Sequence, residues 1–420
     1  MTGDHAITPK GSHAVACIDR QTGKEAPDGK RATSAVNSPI SGPPCVPWPD
    51  RPAGRVRDVL EAADVRINGS RPWDMQIHHP RTLTRIALQR SLGLGESYMD
   101  AWWDCEALDE FFHRLLTHGA NRVSHSPLQS GLQWLGHWLF NRQSLHRSTR
   151  VARQHYDLGN DLFEAMLDPT MSYSCGYWRD AETLAQAQEA KLELICRKLN
   201  LKPGMTLLDI GCGWGGLLEY ACRHYRISGG GVTLSREQAS LARERCASLP
   251  VDIRLEDYRK LQGRFDRVVS VGMFEHVGRR NYATFMETCA HLLHRRGLML
   301  LHTIGTNTST SRHDPWIDKY IFPNGELPSC AQIARNAEDW FVCEDLHNFG
   351  PDYARTLRAW DRHFVAHWSQ LSDRYDQRFQ RMWRYYLNAC AGAFQARDIQ
   401  LWQWVFSHAG GREEVYTGVR

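Results

Sequence analysis

LLDIGCGWGGLLEYACRHY, residues 207–225, is the stretch whose reading decides the fold. An apolar run from Met205 to Ile210 ends in Gly211-Cys212-Gly213-Trp214-Gly215-Gly216, and a helical pattern opens directly behind it. Strand, glycine turn and helix form the βα unit that receives nucleotide-like ligands. Glycine admits close backbone approach, and a helix start offers unpaired N–H groups. Gly211, Gly213 and Gly216 fit G-x-G-x-x-G, a pattern shared by dinucleotide sites and by others. Asp209, two residues before the first glycine, sharpens the reading. A carboxylate there suits a ligand with an ammonium or sulfonium group better than a pyrophosphate, which favours S-adenosylmethionine over NAD.

Outward from this unit, strand and helix patterns alternate from His155 onward. LAQAQEAKLELICRKLNL is amphipathic and closes at Lys202-Pro203-Gly204. Strands are expected at 205–210, 227–234, 251–256, 265–272 and 297–304, and helices at 215–225, from Ser235, and at 280–293. Such βαβ alternation demands a parallel sheet covered by helices. Residues 305–350 break the rhythm and read as a lid or insertion. FVCEDLHNF and IQLWQWVFSH read as two further edge strands, around a long aromatic helical stretch from Tyr353 to Ala391.

The length of 420 residues sets a prior of two or three domains, and 42% hydrophobic with 23% charged residues is ordinary for a soluble globular chain. A net charge of +4 argues against a dedicated nucleic-acid binder and permits contact with an acidic surface such as anionic lipid. The 12 cysteines include no C-x-x-C pair, so neither a zinc site nor a disulfide framework is indicated, and a reducing cytoplasm fits. No apolar run approaches the ~18 residues of a membrane span. Residues 1–52, rich in Gly, Pro, Ser and Thr, read as a disordered extension. Residues 53–145 read as a small α-rich domain, with VRDVLEAADV and LDEFFHRLLTHG helical, DMQIHHPRTLTRIALQ strand then helix, and GSRPWD and SLGLGES turns. Trp102 and Trp103 fall in a third short helical run. The apolar content of this domain is either core or a lipid- or dimer-facing patch. HRSTRVAR, 146–153, is either a solvated linker or a contact for headgroup phosphate, and the chemistry-bearing domain is expected over 146–420.

Ligands of open α/β sheets lie beyond the carboxyl ends of the strands. The second strand ends GVTLSREQ, without the acidic residue a NAD ribose wants; Ser235 and Gln238 form an S-x-x-Q capping box that is compatible with cofactor contact. The third ends Glu256-Asp257-Tyr258-Arg259, either an adenine cover or a solvated loop. The fourth ends Met273-Phe274-Glu275-His276 and the fifth Leu301-His302-Thr303-Ile304, making Glu275 and His302 neighbours if these strands are adjacent, with the fourth beside the first. Tyr173-Ser174-Cys175 and Tyr177-Trp178 read either as a loop closing over a cationic ligand or as an aromatic cluster under the N-terminal domain.

Together, HYDLGNDLFEAMLDPTMSYSCGYW, LDIGCGWGG, GVTLSREQ, FDRVVSVGMFEHVG, LLHTIG, DPWIDKYIFPNGELPS, LHNFGPDYARTLRAW and YYLNACAGAFQARDIQLWQ resemble the cyclopropane-fatty-acyl-phospholipid synthases. The likeness spans about Val56 to Ser407 and includes RSLGLGESYMDAWW, which the shorter mycobacterial mycolic-acid cyclopropane synthases lack. The resemblance implies a class I methyltransferase, a Rossmann-like, mostly parallel seven-stranded sheet with a smaller α-rich N-terminal domain. It implies methyl transfer from S-adenosylmethionine to a cis double bond of a phospholipid acyl chain, with bicarbonate as the base that removes a proton while the ring closes. By the same carry-over, the anion is held by Cys175, Glu275, His302, Ile304 and Tyr353, with Cys175 and Ile304 acting partly through backbone N–H. The cofactor is held by Tyr173, Ser174, Gly211, Cys212, Gly213, the run Thr233, Leu234, Ser235 to Gln238, and Tyr258-Arg259, beside Asp209. Cys390 is a family position regarded as an active-site cysteine, and a buried small hydrophobe explains it as well. A carboxylate beside bicarbonate repels it, so Glu275 is expected to be protonated or to anchor the ion through its proton. The partners implied are bilayer phospholipid, met peripherally at the inner face of the cytoplasmic membrane, and a second copy of the chain.

Three other readings compete. A related methyltransferase resolves the same cation into a methyl-branched chain. A lipid-binding protein with a dead methyltransferase domain predicts a broken cofactor loop, whereas every matched position is intact. A dehydrogenase is disfavoured by Asp209 and the missing ribose acid.

Overall fold

The computed structural model describes residues 51–118, 159–309, 314–411 and 415–420. The expected extension 1–52, up to the helix that starts at Arg51, and the basic link 146–153 lie outside the described residues. Residues 49–420 form one compact unit.

Its centre is a seven-stranded sheet in the order β5-β4-β3-β6-β7-β9-β8. The strands are β3 (Thr206–Ile210), β4 (Ser228–Thr233), β5 (Val251–Leu255), β6 (Phe265–Val271), β7 (Leu293–Thr306), β8 (Val342–Asn348) and β9 (Ile399–Ser407). The first five are parallel, and β9 runs antiparallel to both β7 and β8. The class I methyltransferase sheet is therefore present, with β6 between β3 and β7 as the strand-end reading requires. Helices α5 (Leu184–Lys198), α6 (Gly216–Tyr225), α7 (Arg236–Arg245) and α8 (Tyr282–Leu292) cover it. A capping box starts α5: Thr183 Oγ1 accepts from the Gln186 amide and Gln186 Oε1 from the Thr183 amide, at 3.3 and 3.1 Å.

Before the sheet lie α1 (Arg51–Ala62), β1 (Gln76–Ile77), α2 (Thr82–Met99), β2 (Trp103–Asp104), α3 (Leu108–Thr117) and α4 (Asn160–Met166). After β7 come α9 (Pro315–Tyr320) and α10 (Cys330–Ala337). The aromatic stretch following β8 divides into α11 (Gly350–Ala366), the short α12 (Trp368–Leu371) and α13 (Gln377–Gln395). One apolar core runs from Leu60, Trp103 and Phe111 through Phe163 to Trp360, Trp383 and Phe394, so α1–α3 share their interior with α4, α11 and α13. Arg381–Asp104 at 2.7 Å and Lys319–Glu96 at 2.7 Å tie the same elements at the surface.

Two local readings change. SLGLGES is helical: the break is at Arg90 (φ 56, ψ −131), and the helix resumes through both glycines. These glycines serve close packing rather than a turn, since a Cβ on Gly93 would sit 2.4 Å from the Arg85 carbonyl oxygen and one on Gly95 2.3 Å from the Trp316 ring. Gly95→Ala is accordingly expected to cost about 1–3 kcal/mol by overpacking and to lower the thermal midpoint by a few degrees. The Trp102–Trp103 pair is not helical: Trp103 lies in β2 with its indole N–H shared by Leu94 O and Ser97 Oγ, both at 3.1 Å, while Trp102 stacks on His79 at 3.9 Å. Burial of one aromatic and edge pairing by its backbone outweigh a weak helical period. The 305–350 insertion is packed where it is described. Trp316 is fully buried against α2, and the Glu326 amide donates to the Glu275 carbonyl at 2.8 Å.

Candidate active site

A cavity of about 210 Å³ opens at the carboxyl ends of β3, β4 and β5. All twelve expected cofactor residues line it: Tyr173, Ser174, Asp209, Gly211, Cys212, Gly213, Thr233, Leu234, Ser235, Gln238, Tyr258 and Arg259. The glycine turn is bent back on β4, where the Gly211 and Cys212 amides both donate to Val232 O at 2.9 and 3.0 Å. Gly211 takes φ +87, a conformation side chains rarely adopt, and its missing Cβ is what keeps Met273 in place.

The polar rim is built from short local bonds. Ser235 Oγ caps α7 by accepting from the Gln238 amide at 3.3 Å. The reciprocal half of the expected capping box is absent, because Gln238 Oε1 instead accepts from the Thr233 hydroxyl at 2.8 Å, which aims the carboxamide along the cavity wall. Arg259 folds onto Asp257 at 2.8 and 2.6 Å, holding the Asp257-Tyr258 loop in place. Asp209 is 2% exposed, its Oδ1 has no protein partner, and burial pushes its carboxyl up from 3.8 to about 7. An acid left unpaired at a cavity wall fits a cationic group brought by a ligand.

That shift has a sign for stability. A carboxyl whose pKa is raised on folding contributes stability below its unfolded value and loses it as pH rises through the folded value. Asp209→Asn is therefore expected to melt above the parent near pH 8, by a few degrees, with the gap narrowing as pH falls and closing at about pH 4. A gap independent of pH would contradict this.

The second group of expected residues lies behind this cavity. Glu275 sits on a 3-10 turn (Phe274–His276) after β6; its Oε1 accepts from the Ile304 amide at 2.7 Å, and its Oε2 is buried without a partner. Burial pushes this carboxyl up from 4.5 to about 7, and in its neutral form Oε1 accepts from Ile304 while Oε2–H is free to donate. His302 stands opposite Val271 of β6 and Gln403 of β9. Gln403 Nε2 lies 3.2 Å from the His302 Nδ1, and the His302 Nε2 is buried without a partner. Burial first, then Lys191 and Lys198, holds the ring pKa well below its ordinary value, so His302 is neutral.

Tyr353 of α11 stacks on Phe394 at 4.6 Å, and burial together with Cys175, Tyr173, Glu275 and Cys390 keeps its phenol protonated. Cys175 is fully buried and its thiol is pushed well up by burial and Asp352. Its loop is bolted to α11 by Gly176 N to Thr356 Oγ1 at 3.0 Å and Trp178 N to Asp352 Oδ2 at 2.7 Å. Cys390 is half-buried, with its thiol pushed up to about 12 by burial, so it is no thiolate. Ile304 departs from expectation: its N–H is engaged by Glu275 Oε1, so it orients that carboxyl instead of facing an anion. A charged cavity residue was missed. Lys191, 2% exposed, lies on the apolar stripe of α5 with Ala187 and Ile195, and a lysine within such a stripe was the available signal.

Residues 143–404 match the family model described as mycolic acid cyclopropane synthetase. The chain is 55% identical over 350 residues to cyclopropane-fatty-acyl-phospholipid synthase of Escherichia coli (strain K12), covering 83% of this chain and 92% of that protein. It is 35% identical over 364 residues to the tuberculostearic acid methyltransferase UfaA1 of Mycobacterium tuberculosis, covering 80% and 83%. Among solved structures, the mycolic acid cyclopropane synthase CmaA1 complexed with SAH and CTAB matches at 35% identity and TM-score 0.58, over 61% of this chain and 97% of that one. The cyclopropane synthase MmaA2 of Mycobacterium tuberculosis matches at 32% and TM-score 0.59, with the same coverage.

Proposed function

Because the chain belongs to the mycolic acid cyclopropane synthetase family, we propose that it converts a cis double bond of a phospholipid acyl chain to a cyclopropane, with S-adenosylmethionine as methylene source and bicarbonate as general base. S-adenosylmethionine-dependent methyl transfer to fatty acyl chains is the family's chemistry. The observation that carries the finer reading is the pair of buried side-chain atoms without a protein partner, Glu275 Oε2 and His302 Nε2. With the phenol of Tyr353, which Glu275 influences, these groups in their neutral forms would offer hydrogen-bond donors to a small oxyanion without the repulsion an ionised Glu275 would cause.

Bound there, bicarbonate would supply the base for the proton that leaves as the ring closes. The residues do the rest. Asp209 faces the cationic end of the methyl donor, Tyr258 covers adenine, and the Gly211–Gly213 backbone admits the methionyl chain. The ring of Tyr173 lines the cavity with Trp360 packed behind it at 5.1 Å, and its aromatic face would favour positive charge developing on the chain. Glu275, His302 and Tyr353 fix the anion, Ile304 fixes Glu275, and Cys175 shapes the loop that closes the pocket.

Peripheral contact with the inner face of the cytoplasmic membrane and pairing of two subunits belong to the same proposal. Among the described residues no helix is long and apolar enough to cross a membrane. The test uses vesicles of cis-unsaturated phospholipid and methyl-labelled S-adenosylmethionine. Label in an acyl chain one methylene heavier and resistant to mild hydrogenation is expected. Label in a chain that behaves as branched would overturn the product, and no label with cofactor still bound would overturn the activity.

A further inference from the structure

The cofactor cavity carries a buried lysine with no role so far. Lys191 reaches into it from α5, and its ammonium donates to Ser174 Oγ at 3.1 Å. An ammonium has three donors, and a buried one is retained only where a partner meets it. The nearby acids do not supply that partner. Asp168 is engaged by the Thr170 and Ser172 amides, at 2.9 and 3.0 Å, and by the Thr170 hydroxyl. Asp209 lines the same cavity but makes no hydrogen bond to Lys191, and its Oδ1 stays unpaired. Burial drives both toward neutrality, Lys191 down to about 8 and Asp209 up to about 7. A potential cation and a potential anion thus line one cavity without a hydrogen bond or ion pair between them. Arg259, the other arginine or lysine on the cavity wall, is closed onto Asp257 at the adenine end.

A zwitterionic amino-acid head completes this arrangement, with its ammonium at Asp209 and its carboxylate at Lys191. We propose that Lys191, steadied by Ser174, is the specificity-determining contact for the methionyl α-carboxylate of S-adenosylmethionine. The inference rests on the methyl-donor reading and is independent of bicarbonate and of the acyl product.

Equilibrium titration with S-adenosylhomocysteine and with its decarboxylated analogue tests it, since neither ligand reports on turnover. The wild-type protein is expected to prefer the carboxylate-bearing ligand on the order of 10²-fold, the range for a buried charge-assisted hydrogen bond. Lys191→Gln is expected to reduce that preference to about threefold or less by weakening S-adenosylhomocysteine alone, with partial recovery in Lys191→Arg. Equal weakening of both ligands would make Lys191 structural and overturn the proposal. So would unchanged S-adenosylhomocysteine binding with a raised bicarbonate requirement, which would move Lys191 to the anion. Should Lys191→Gln fail to fold, the wild-type ratio decides: a protein indifferent to the carboxylate refutes the assignment.

Discussion

Glu275→Ala is expected to lower kcat on the order of 10³-fold at saturating cofactor, while Glu275→Gln keeps turnover within about tenfold of the parent. The asymmetry follows from the state of the side chain. Burial holds the carboxyl near neutrality, with Oε1 accepting from the Ile304 amide and Oε2 free to donate. Glutamine reproduces both functions in the same volume: its carbonyl accepts from Ile304 and its amide donates to the anion. Alanine removes both, leaves the Ile304 N–H unpaired in a dry site and opens a cavity. Single-turnover rates with S-adenosylhomocysteine affinity as control check this. If the glutamine variant is as inactive as the alanine variant, the carboxylate itself takes the proton, and the neutral-donor account is wrong.

The second large effect is at the glycine turn. Gly211→Ala is expected to weaken S-adenosylhomocysteine binding by at least ~30-fold and to lower the thermal midpoint. At φ +87 an alanine pays on the order of 1–2 kcal/mol in backbone conformation, and its Cβ would lie 2.8 Å from Met273 Cβ and Cγ, which line the cavity. Relief requires moving either the turn or Met273, and both enclose the ligand. Gly204→Ala is the control. Gly204 has φ +84 but nothing within 4 Å of the added carbon, so that variant should lose stability and keep cofactor affinity. Equal loss of affinity in both would trace the effect to global destabilisation instead of the cradle.

Much of the sheet was legible because its signals are local. Apolar runs ending in glycine or in acid-aromatic pairs mark β3 to β7, and their alternation with helices fixes them parallel. The strand-end rule then brings Asp209, Gln238, Tyr258, Glu275 and His302 to one side without further information. The remainder depends on partners far away in sequence. Gly93 and Gly95 look like turn residues until the Arg85 carbonyl and Trp316 are seen against them. Ile304 reads as an amide donor for an anion until Glu275 is found to accept from it. Gln238 fits a capping box that the Thr233 hydroxyl preempts. The charge on Lys191 reads as an irregularity of an amphipathic helix, and only the cavity gives it a purpose.

The central claim is that buried neutral donors hold a bicarbonate that accepts the methyl proton. Its most direct test is the rate at which wild-type protein transfers label from methyl-labelled S-adenosylmethionine into cis-unsaturated phospholipid vesicles, in buffer stripped of carbon dioxide and after bicarbonate is restored. A rate that rises at least ~10-fold and saturates with bicarbonate, with S-adenosylhomocysteine affinity unchanged, is the predicted result. A full rate in carbonate-free buffer would contradict it and return the proton to a side chain.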